Sequence, residues 1–242
     1  EGFIQAVQQV AAASGRLIVS GIGKSAIIAQ KIVATLNSTG TPSVFMHAAD
    51  AIHGDLGMIQ PDDIVLVISK SGDSPEIKVL APLVKNFGNT LIGMVGNTQS
   101  FLAQHSDIVL NTTVEQEACP NNLAPTTSTT AQMVMGDALA VCLMELKGFD
   151  TNDFAKFHPG GTLGKKLYLR VEELLAQNAK PKVLLAATIK EVIVEMTQKR
   201  LGAAVVVNEK ENVLGIITDG DLRRMLEKTD TFEKLQAKDI MS

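Results

Sequence analysis

Three hydroxyls and a glycine lie between a predicted strand and a predicted helix. Residues 63–68 form a mostly aliphatic, β-branched run that is typical of a buried strand. Ser69, Ser71, Gly72 and Ser74 follow, and the third serine begins a helix, with a proline and an acid after it. Free N–H groups at a helix start attract anions, and serine hydroxyls add neutral donors. The segment predicts a cradle for a phosphate monoester; an ordinary capped loop is the alternative.

A second glycine-rich turn, residues 21–25 (G-I-G-K-S), follows the predicted strand 16–20. It lacks the first glycine of a Walker A loop, and Ala26 replaces the third glycine of a dinucleotide fingerprint. A cation is placed unfavourably at a helix start, so Lys24 is a candidate site residue. A solvated surface charge is the alternative interpretation.

Four other residues have side chains suited to proton transfer. His53 lies between apolar residues and a Gly-Asp pair, and His158 precedes a rigid Pro-Gly-Gly turn. Glu76 lies in the first turn of the helix after the serines, and Glu117 lies in the irregular, proline-containing segment 115–125. Histidine titrates near neutrality, and a carboxylate can act as a base when burial raises its pKa.

The elements that must position these residues alternate strand and helix five times up to about residue 147. This alternation predicts an α/β fold with a five-stranded parallel sheet flanked by helices. Ligands of such sheets bind beyond the carboxyl ends of the strands, where both turns lie. Gly23 and Ser25 are therefore included in the predicted phosphate site. The long helix 128–147 is apolar enough for an oligomer interface, with core burial as the alternative for most positions.

Composition excludes several classes of protein. The chain has 242 residues, a formal net charge of −4 and no basic runs, which argues against a nucleic-acid partner. No apolar run is long enough to span a membrane. The two cysteines, Cys119 and Cys142, have no metal-binding spacing and fit a reducing cytosol. We expect a cytoplasmic protein whose natural chain extends beyond Glu1 and Ser242.

A different pattern begins after Lys180-Pro181-Lys182. Residues 189–196 predict an amphipathic helix, 203–207 and 214–217 predict strands, and 218–224 begins another helix. Asp219 and Asp221 are metal ligands in one interpretation and N-terminal helix acids in the favoured one. The sequence predicts a first domain at 1–165, a linker at 166–182 and a smaller α+β module at 183–242.

The chain also resembles a known family. Residues 1–165 resemble the SIS (sugar isomerase) domain, with a flavodoxin-like sheet, and residues 183–242 resemble a CBS motif. This order is similar to that of the arabinose 5-phosphate isomerases, which supply the pathway to Kdo, a sugar of lipopolysaccharide and capsule. The stretches that carry the resemblance are 21–25, 53–58, 68–72, 117–120, 123–126, 135–140, 158–161 and 218–224. Two residues depart from the family pattern, since Lys70 stands where the family usually has Asn and Asp73 where it has Glu. A further departure is that only one CBS motif is present.

The resemblance implies roles for the residues above. Ser69, Ser71 and Ser74 hold the sugar phosphate, and the polar active-site residues are Lys24, His53, Glu76, Glu117 and His158. It also implies a homotetramer whose sites are completed by neighbouring subunits, with the two histidines reaching across.

The implied reaction interconverts ribulose 5-phosphate and arabinose 5-phosphate through a cis-enediol and needs no metal or redox cofactor. We rank Glu117 and His158 first for proton transfer, with Glu76 and His53 as alternatives, and Lys24 stabilises the enediolate. A non-catalytic sugar-phosphate sensor and an isomerase of another sugar phosphate remain alternatives. Pathway logic adds CMP-Kdo as a feedback ligand near the cleft, and a nucleotide is the ligand that a CBS motif suggests.

Overall fold

The computed structural model describes residues 1–168, 170–228 and 232–242. It divides the chain into two compact units, 1–168 and 169–242. The strands and helices of the first unit are β1 (Leu17–Gly21), β2 (Ser43–His47), β3 (Ile64–Ser69), β4 (Thr90–Val95) and β5 (Ile108–Asn111), with α1 (Gly2–Ala12), α2 (Lys24–Ser38), α3 (Ala48–Ala51), α4 (Pro75–Asn86), α5 (Phe101–His105), α6 (Thr127–Lys147), α7 (Thr151–Phe157) and α8 (Thr162–Tyr168).

The five strands form one parallel sheet in the order β2-β1-β3-β4-β5. This confirms the predicted parallel sheet and its flavodoxin-like order. The chain leaves β1 toward β2 on one side and returns to β3 on the other, so the order reverses between β1 and β3. Gly21 of β1 is in register with Ile68 of β3. The turns that follow these two strands are therefore neighbours at the carboxyl edge of the sheet.

The sheet is buried on both faces by aliphatic side chains that alternate along each strand. Leu66 and Ile68 of β3 pack with α1, α2 and α6 on one face. Val65 and Val67 pack with α3, α4 and α5 on the other. Each such side chain contributes roughly 1.5–3 kcal/mol by leaving water, which fixes the strand ends and the turns that follow them.

Helices α2 and α6 approach closely on the first of these faces. A Cβ on Gly136 of α6 would lie 2.3 Å from Cδ1 of Ile32 of α2, so only glycine allows this packing distance. An ion pair between Lys31 and Asp137 joins the same two helices. The packing fixes the start of α2 relative to the start of α6.

The second unit contains a three-stranded sheet of β6 (Lys182–Leu184), β7 (Ala203–Val207) and β8 (Val213–Thr218). β6 and β7 are parallel, and β7 and β8 are antiparallel. This confirms the smaller α+β module, although the short β6 was not predicted. Its helices are α9 (Val171–Gln177), α10 (Ile189–Lys199), α11 (Asp219–Lys228) and α12 (Ala237–Ile240).

Asp219 and Asp221, which the sequence allowed as metal ligands or as helix-terminal acids, both lie in the first turn of α11. Asp221 Oδ2 accepts hydrogen bonds from the backbone N–H and the hydroxyl of Thr218 at 2.8 and 2.7 Å, and Arg224 lies beside the carboxylate. The bonds from Thr218, helped by Arg224, lower the pKa of Asp221 to about 2. Asp221 is a helix-terminal acid, as favoured from the sequence.

The segment 166–182, predicted as a linker, contains α9 and ends at the first residue of β6. Over the described ranges, the helices all fall short of the length or apolar character needed to cross a bilayer.

Candidate active site

Residues 69–74, the serine loop, connect β3 to α4 at the carboxyl edge of the sheet. Ser69 is buried, and its Oγ accepts a hydrogen bond from the N–H of Gly72 at 3.0 Å. Ser71 is exposed, and its Oγ accepts a longer bond of 3.4 Å from the N–H of Asp73. Gly72 has φ +70°, a left-handed conformation that favours glycine. The loop therefore folds back on itself with hydroxyl groups on its inner and outer sides.

Ser74 occupies the N-cap position of α4, yet its hydroxyl makes no cap hydrogen bond. Its Oγ is buried and has no hydrogen-bond partner among the described residues. Buried hydroxyls are normally paired, so an unpaired one at a helix start favours a polar ligand there. Glu76, in the first turn of the same helix, is half-buried.

Sequence reasoning missed another hydroxyl of this kind. Ser20, next to the last residue of β1, is fully buried, and its Oγ is also unpaired within the described chain. A polar residue at the end of an otherwise aliphatic strand was the signal that could have identified it.

The turn after β1 starts α2 at Lys24. Gly23 has φ +58°, and a Cβ there would meet nothing within 4 Å, so the glycine serves the backbone conformation. Ser25 donates its hydroxyl hydrogen to Gln132 Oε1 of α6 at 3.2 Å. Lys24 is exposed and forms no ion pair with any described residue. Its ammonium is available to an anionic ligand.

Glu117 lies at the start of α6, and its side chain is fully buried. The carboxylate accepts hydrogen bonds from Lys70 Nζ at 2.7 Å, from the N–H groups of Thr126 and Ser128 at 2.8 and 3.1 Å, and from both of their hydroxyls. Glu117 thus caps the helix from a distant position in the chain, where an anion is favoured.

These bonds oppose one sequence expectation. We expected burial to raise the pKa of the catalytic carboxylate, as a general base requires. The Lys70 ammonium, then the Ser128 hydroxyl and the Thr126 N–H, instead hold the pKa of Glu117 well below its usual range. Burial acts in the opposite direction and is outweighed, because every donor is aimed at the ionised form.

The irregular segment that carries Glu117 is held by its own polar groups. Asn122 Oδ1 accepts the N–H of Glu117 at 2.7 Å, and Asn122 has φ +53°. The Cys119 sulfur accepts the N–H groups of Leu123 and Ala124 at 3.0 and 3.1 Å. These bonds replace regular secondary structure and fix the backbone of Glu117.

The two histidines stand apart from the other candidates. His53 is exposed in the turn after α3. His158 ends α7, where its ring stacks on Phe154 at 3.8 Å between centroids and Nδ1 lies 2.9 Å from the Phe154 carbonyl oxygen. Throughout the described residues, neither is joined by a hydrogen bond or ion pair to the serine loop, Lys24 or Glu117. Their expected approach from a neighbouring subunit stays a prediction.

Known proteins share this arrangement of sheet and loops. The SIS domain family matches residues 11–142, more than half of the chain, and the CBS domain family matches residues 177–228. Arabinose 5-phosphate isomerase KdsD of Pseudomonas aeruginosa is 50% identical over 229 residues, which cover 94% of this chain and 70% of that protein. The chain belongs to the arabinose 5-phosphate isomerase family.

Two other members extend the comparison. Arabinose 5-phosphate isomerase KpsF of Escherichia coli is 48% identical over 228 residues, covering 94% of this chain and 72% of that protein. A solved structure of an Escherichia coli CFT073 protein in complex with arabinose 5-phosphate is 40% identical, with a TM-score of 0.60. The match covers 65% of this chain and 92% of that one. Within the family, the first unit of this chain therefore corresponds to a module that has been solved with a sugar phosphate.

Proposed function

We propose that the protein interconverts arabinose 5-phosphate and ribulose 5-phosphate. The observation that carries the proposal is the serine loop, in which the unpaired Ser74 hydroxyl lies at the start of α4. Family membership and the sugar-phosphate complex of a relative support the same proposal, and the serine loop is the part of this chain that we assign to the phosphate. The relatives' place in the supply of Kdo is the expected pathway.

The phosphate is assigned to Ser69, Ser71 and Ser74, with Gly23 and Ser25 on the neighbouring turn. A phosphate dianion accepts hydrogen bonds from hydroxyls and free N–H groups, and the starts of α2 and α4 both provide them. Anchoring the phosphate leaves the C1 and C2 end of the sugar free to reach the catalytic side chains.

The chemistry requires two steps, each with one proton transfer at carbon and one at oxygen. In the direction of the ketose, a base removes the C2 proton while the C1 oxygen is protonated, which gives the cis-enediol. The proton then returns to C1, and the C2 hydroxyl loses its proton to become the carbonyl. Glu117 and His158 are assigned to these transfers, with Glu76 and His53 as alternatives, and Lys24 stabilises the enediolate charge.

The low pKa of Glu117 bears on this assignment. A carboxylate that is ionised at neutral pH is in the form a base requires, but it is a weak base in this arrangement. Glu76 is half-buried in the first turn of α4 and lies outside that hydrogen-bond network. The kcat values of Glu117→Gln and Glu76→Gln distinguish these two candidates for the base. The base is the residue whose replacement lowers kcat by roughly 10²-fold or more.

Proton exchange at C2 of arabinose 5-phosphate in D₂O, followed by NMR, tests the proposed function. Exchange together with ribulose 5-phosphate formation supports the isomerase and the enediol route. Absence of exchange with substrate-dependent thermal stabilisation would favour the sensor. Absence of both would direct the work to a panel of other ketose and aldose phosphates.

Self-association to a homotetramer is part of the same proposal. Ile27 of α2 and Val134 and Val141 of α6 are 58%, 60% and 62% exposed, although each is a large aliphatic residue. Val134 and Val141 lie seven positions apart and so share a face of α6. Light scattering of Val134→Glu against the unchanged protein tests this: a smaller oligomer supports the interface, and an unchanged mass contradicts it.

Feedback by CMP-Kdo is the remaining ligand proposal. The support is the anionic character expected of a ligand for the serine loop and the position of the family in its pathway. Calorimetry with CMP-Kdo, and separately with a nucleotide, would show binding; no heat at millimolar concentration would remove the proposal.

A further inference from the structure

Lys70 belongs to the serine loop, but its side chain leaves the loop. It lies between Ser69 and Ser71 in the chain, and its Nζ reaches Glu117 Oε1 at 2.7 Å. The Glu117 side chain is completely buried, whereas 48% of the Lys70 side chain is exposed. The pair therefore joins a solvent-facing cation of the predicted phosphate site to a buried carboxylate of the predicted catalytic site.

The other partners of Glu117 are neutral. They are hydroxyl and N–H groups of Thr126 and Ser128, at the start of α6. In the part of the chain that the structure describes, Lys70 is the charged group bonded to this carboxylate. An ionised carboxylate is costly to bury, so Lys70 adds a positive charge to the neutral donors that favour the ionised form of Glu117.

Gly96, the residue after β4, contacts the backbone and the side-chain stem of Lys70. Gly96 donates its N–H to the Lys70 carbonyl at 3.1 Å. A Cβ on Gly96 would lie 2.8 Å from that carbonyl oxygen and 3.2 Å from Lys70 Cγ. A side chain at position 96 would crowd the Lys70 carbonyl and the lysine stem, so the glycine leaves room for Lys70 to reach Glu117.

We propose that Lys70 is a positioning residue for the isomerisation, which holds the Glu117 carboxylate ionised and in place against the start of α6. The inference rests on the proposed function, because it concerns the group that is assigned to proton transfer. Lys70 acts through Glu117 and is not itself assigned a bond to the sugar.

The test is the pH dependence of kcat/KM for the full chain carrying Lys70→Met or Lys70→Arg. Removal of an opposite charge at this distance raises a carboxylate pKa by about 1–3 units. Because the pKa of Glu117 starts well below its usual range, the acid limb that Glu117 sets should lie at higher pH in Lys70→Met than in the unchanged protein, and the profile is measured to below about pH 4.5 to reach it. Lys70→Arg keeps the charge and should keep the limb of the unchanged protein. Lys85→Met, which breaks the ion pair with Asp107, is the matched control and should follow the unchanged protein.

Two outcomes would overturn the inference. A raised KM with an unmoved acid limb in Lys70→Met would show that Lys70 binds the phosphate directly. Equal shifts in Lys70→Met and Lys70→Arg would show that the effect is structural and independent of charge.

A readout without turnover separates this inference from the proposed function. The destabilisation by Lys70→Met, followed by thermal unfolding, should be largest near pH 7. It should shrink only as pH falls through the pKa of Glu117 in the folded Lys70→Met variant, because the unfolded chains of both proteins take up this proton alike. It should also largely disappear in a Glu117→Gln background. If the unchanged protein isomerises no sugar phosphate but this coupling is present, only the proposed function fails. A destabilisation that is independent of pH and of Glu117 would reject the role of Lys70.

Discussion

Gly72 and Ser100 are in direct contact across two neighbouring loops. A Cβ on Gly72 would lie 2.1 Å from Ser100 Oγ, and Ser100 is buried at the N-cap of α5, where its Oγ accepts the N–H of Ala103. The Gly72 carbonyl also accepts the N–H of Leu102 at 3.0 Å. The serine loop therefore rests on the start of α5, and its shape depends on a glycine with a positive φ.

Replacement of this glycine should be more damaging than its place in a loop suggests. Gly72→Ala adds a left-handed alanine, at about 1–2 kcal/mol, to an overpacked contact of about 1–3 kcal/mol. We expect a loss of roughly 2–5 kcal/mol in the free energy of unfolding, measured by urea titration. Gly148→Ala is the matched control, because Gly148 has a left-handed conformation at the end of α6 and a Cβ there would meet no neighbour within 4 Å. Equal losses in the two variants would contradict the steric explanation.

The unpaired Ser74 hydroxyl gives a prediction with opposite effects on binding and stability. Ser74→Ala removes no hydrogen bond of the free protein, so its unfolding midpoint should be unchanged or slightly raised. A lost bond to a charged phosphate is worth about 1.5–3 kcal/mol, so KM for arabinose 5-phosphate should rise roughly tenfold or more. Ser100→Ala, which removes a helix cap, should instead lower the unfolding midpoint and leave KM for arabinose 5-phosphate nearly unchanged. An unchanged KM in Ser74→Ala would remove this serine from the phosphate site.

Lys24 should act on kcat. Its exposed ammonium at the start of α2 stabilises the enediolate in our assignment, so Lys24→Met should lower kcat by roughly 10²-fold while the fold is retained. Lys31→Met is a control in the same helix, since that lysine is paired with Asp137 away from the turn. Steady-state kinetics measure kcat for the two variants, and circular dichroism checks that both retain the fold. Similar kcat values for both would exclude an electrostatic role for Lys24.

Acid stability should depend on Asp63 at the opposite edge of the sheet. Burial raises the pKa of Asp63, but hydrogen bonds from the Arg16 side chain and from the N–H groups of Arg16 and Gln60 outweigh it, and the net pKa is lowered. A depressed pKa adds stability above about pH 4, the unfolded value, and this is lost as pH falls further.

Asp63→Asn should therefore cost about 2 kcal/mol at pH 7, near the low end for a buried charged bond because Arg16 is partly exposed. The difference from the unchanged protein should narrow below about pH 4. Unfolding by urea at about pH 7 and about pH 3 measures both values. A constant difference would mean that the carboxylate's charge is not the cause.

The sheet was predictable because its strands are aliphatic on both faces, as in residues 64–68. Such strands alternate in the sequence with predicted helices, and this alternation is typical of a parallel sheet covered by helices. A helix start was predictable where its signal was local, as with Pro75 in the first turn of α4. Helix α7 was missed because the stretch 150–163 was interpreted from its His-Pro-Gly-Gly turn, and the capping box at Asp150 was overlooked.

The composition of the site was predictable, but its electrostatics were not. Serines and glycines at strand ends can be identified from position alone. The bond from Lys70 to Glu117 spans 47 residues, and no local pattern contains it. We gave a pKa raised by burial as the condition for a carboxylate base, and Glu117 does not meet that condition because donors distant in the chain outweigh its burial.

The contact between Gly136 and Ile32 sets the distance between α2 and α6. The two helices that it brings together begin at Lys24 and at the residues that bind Glu117. Their separation is set by a steric fit two turns or more inside each helix, before any sugar arrives. The starts of α2 and α6, one carrying Lys24 and the other the hydrogen-bond donors to Glu117, are therefore held at a fixed separation in the free protein.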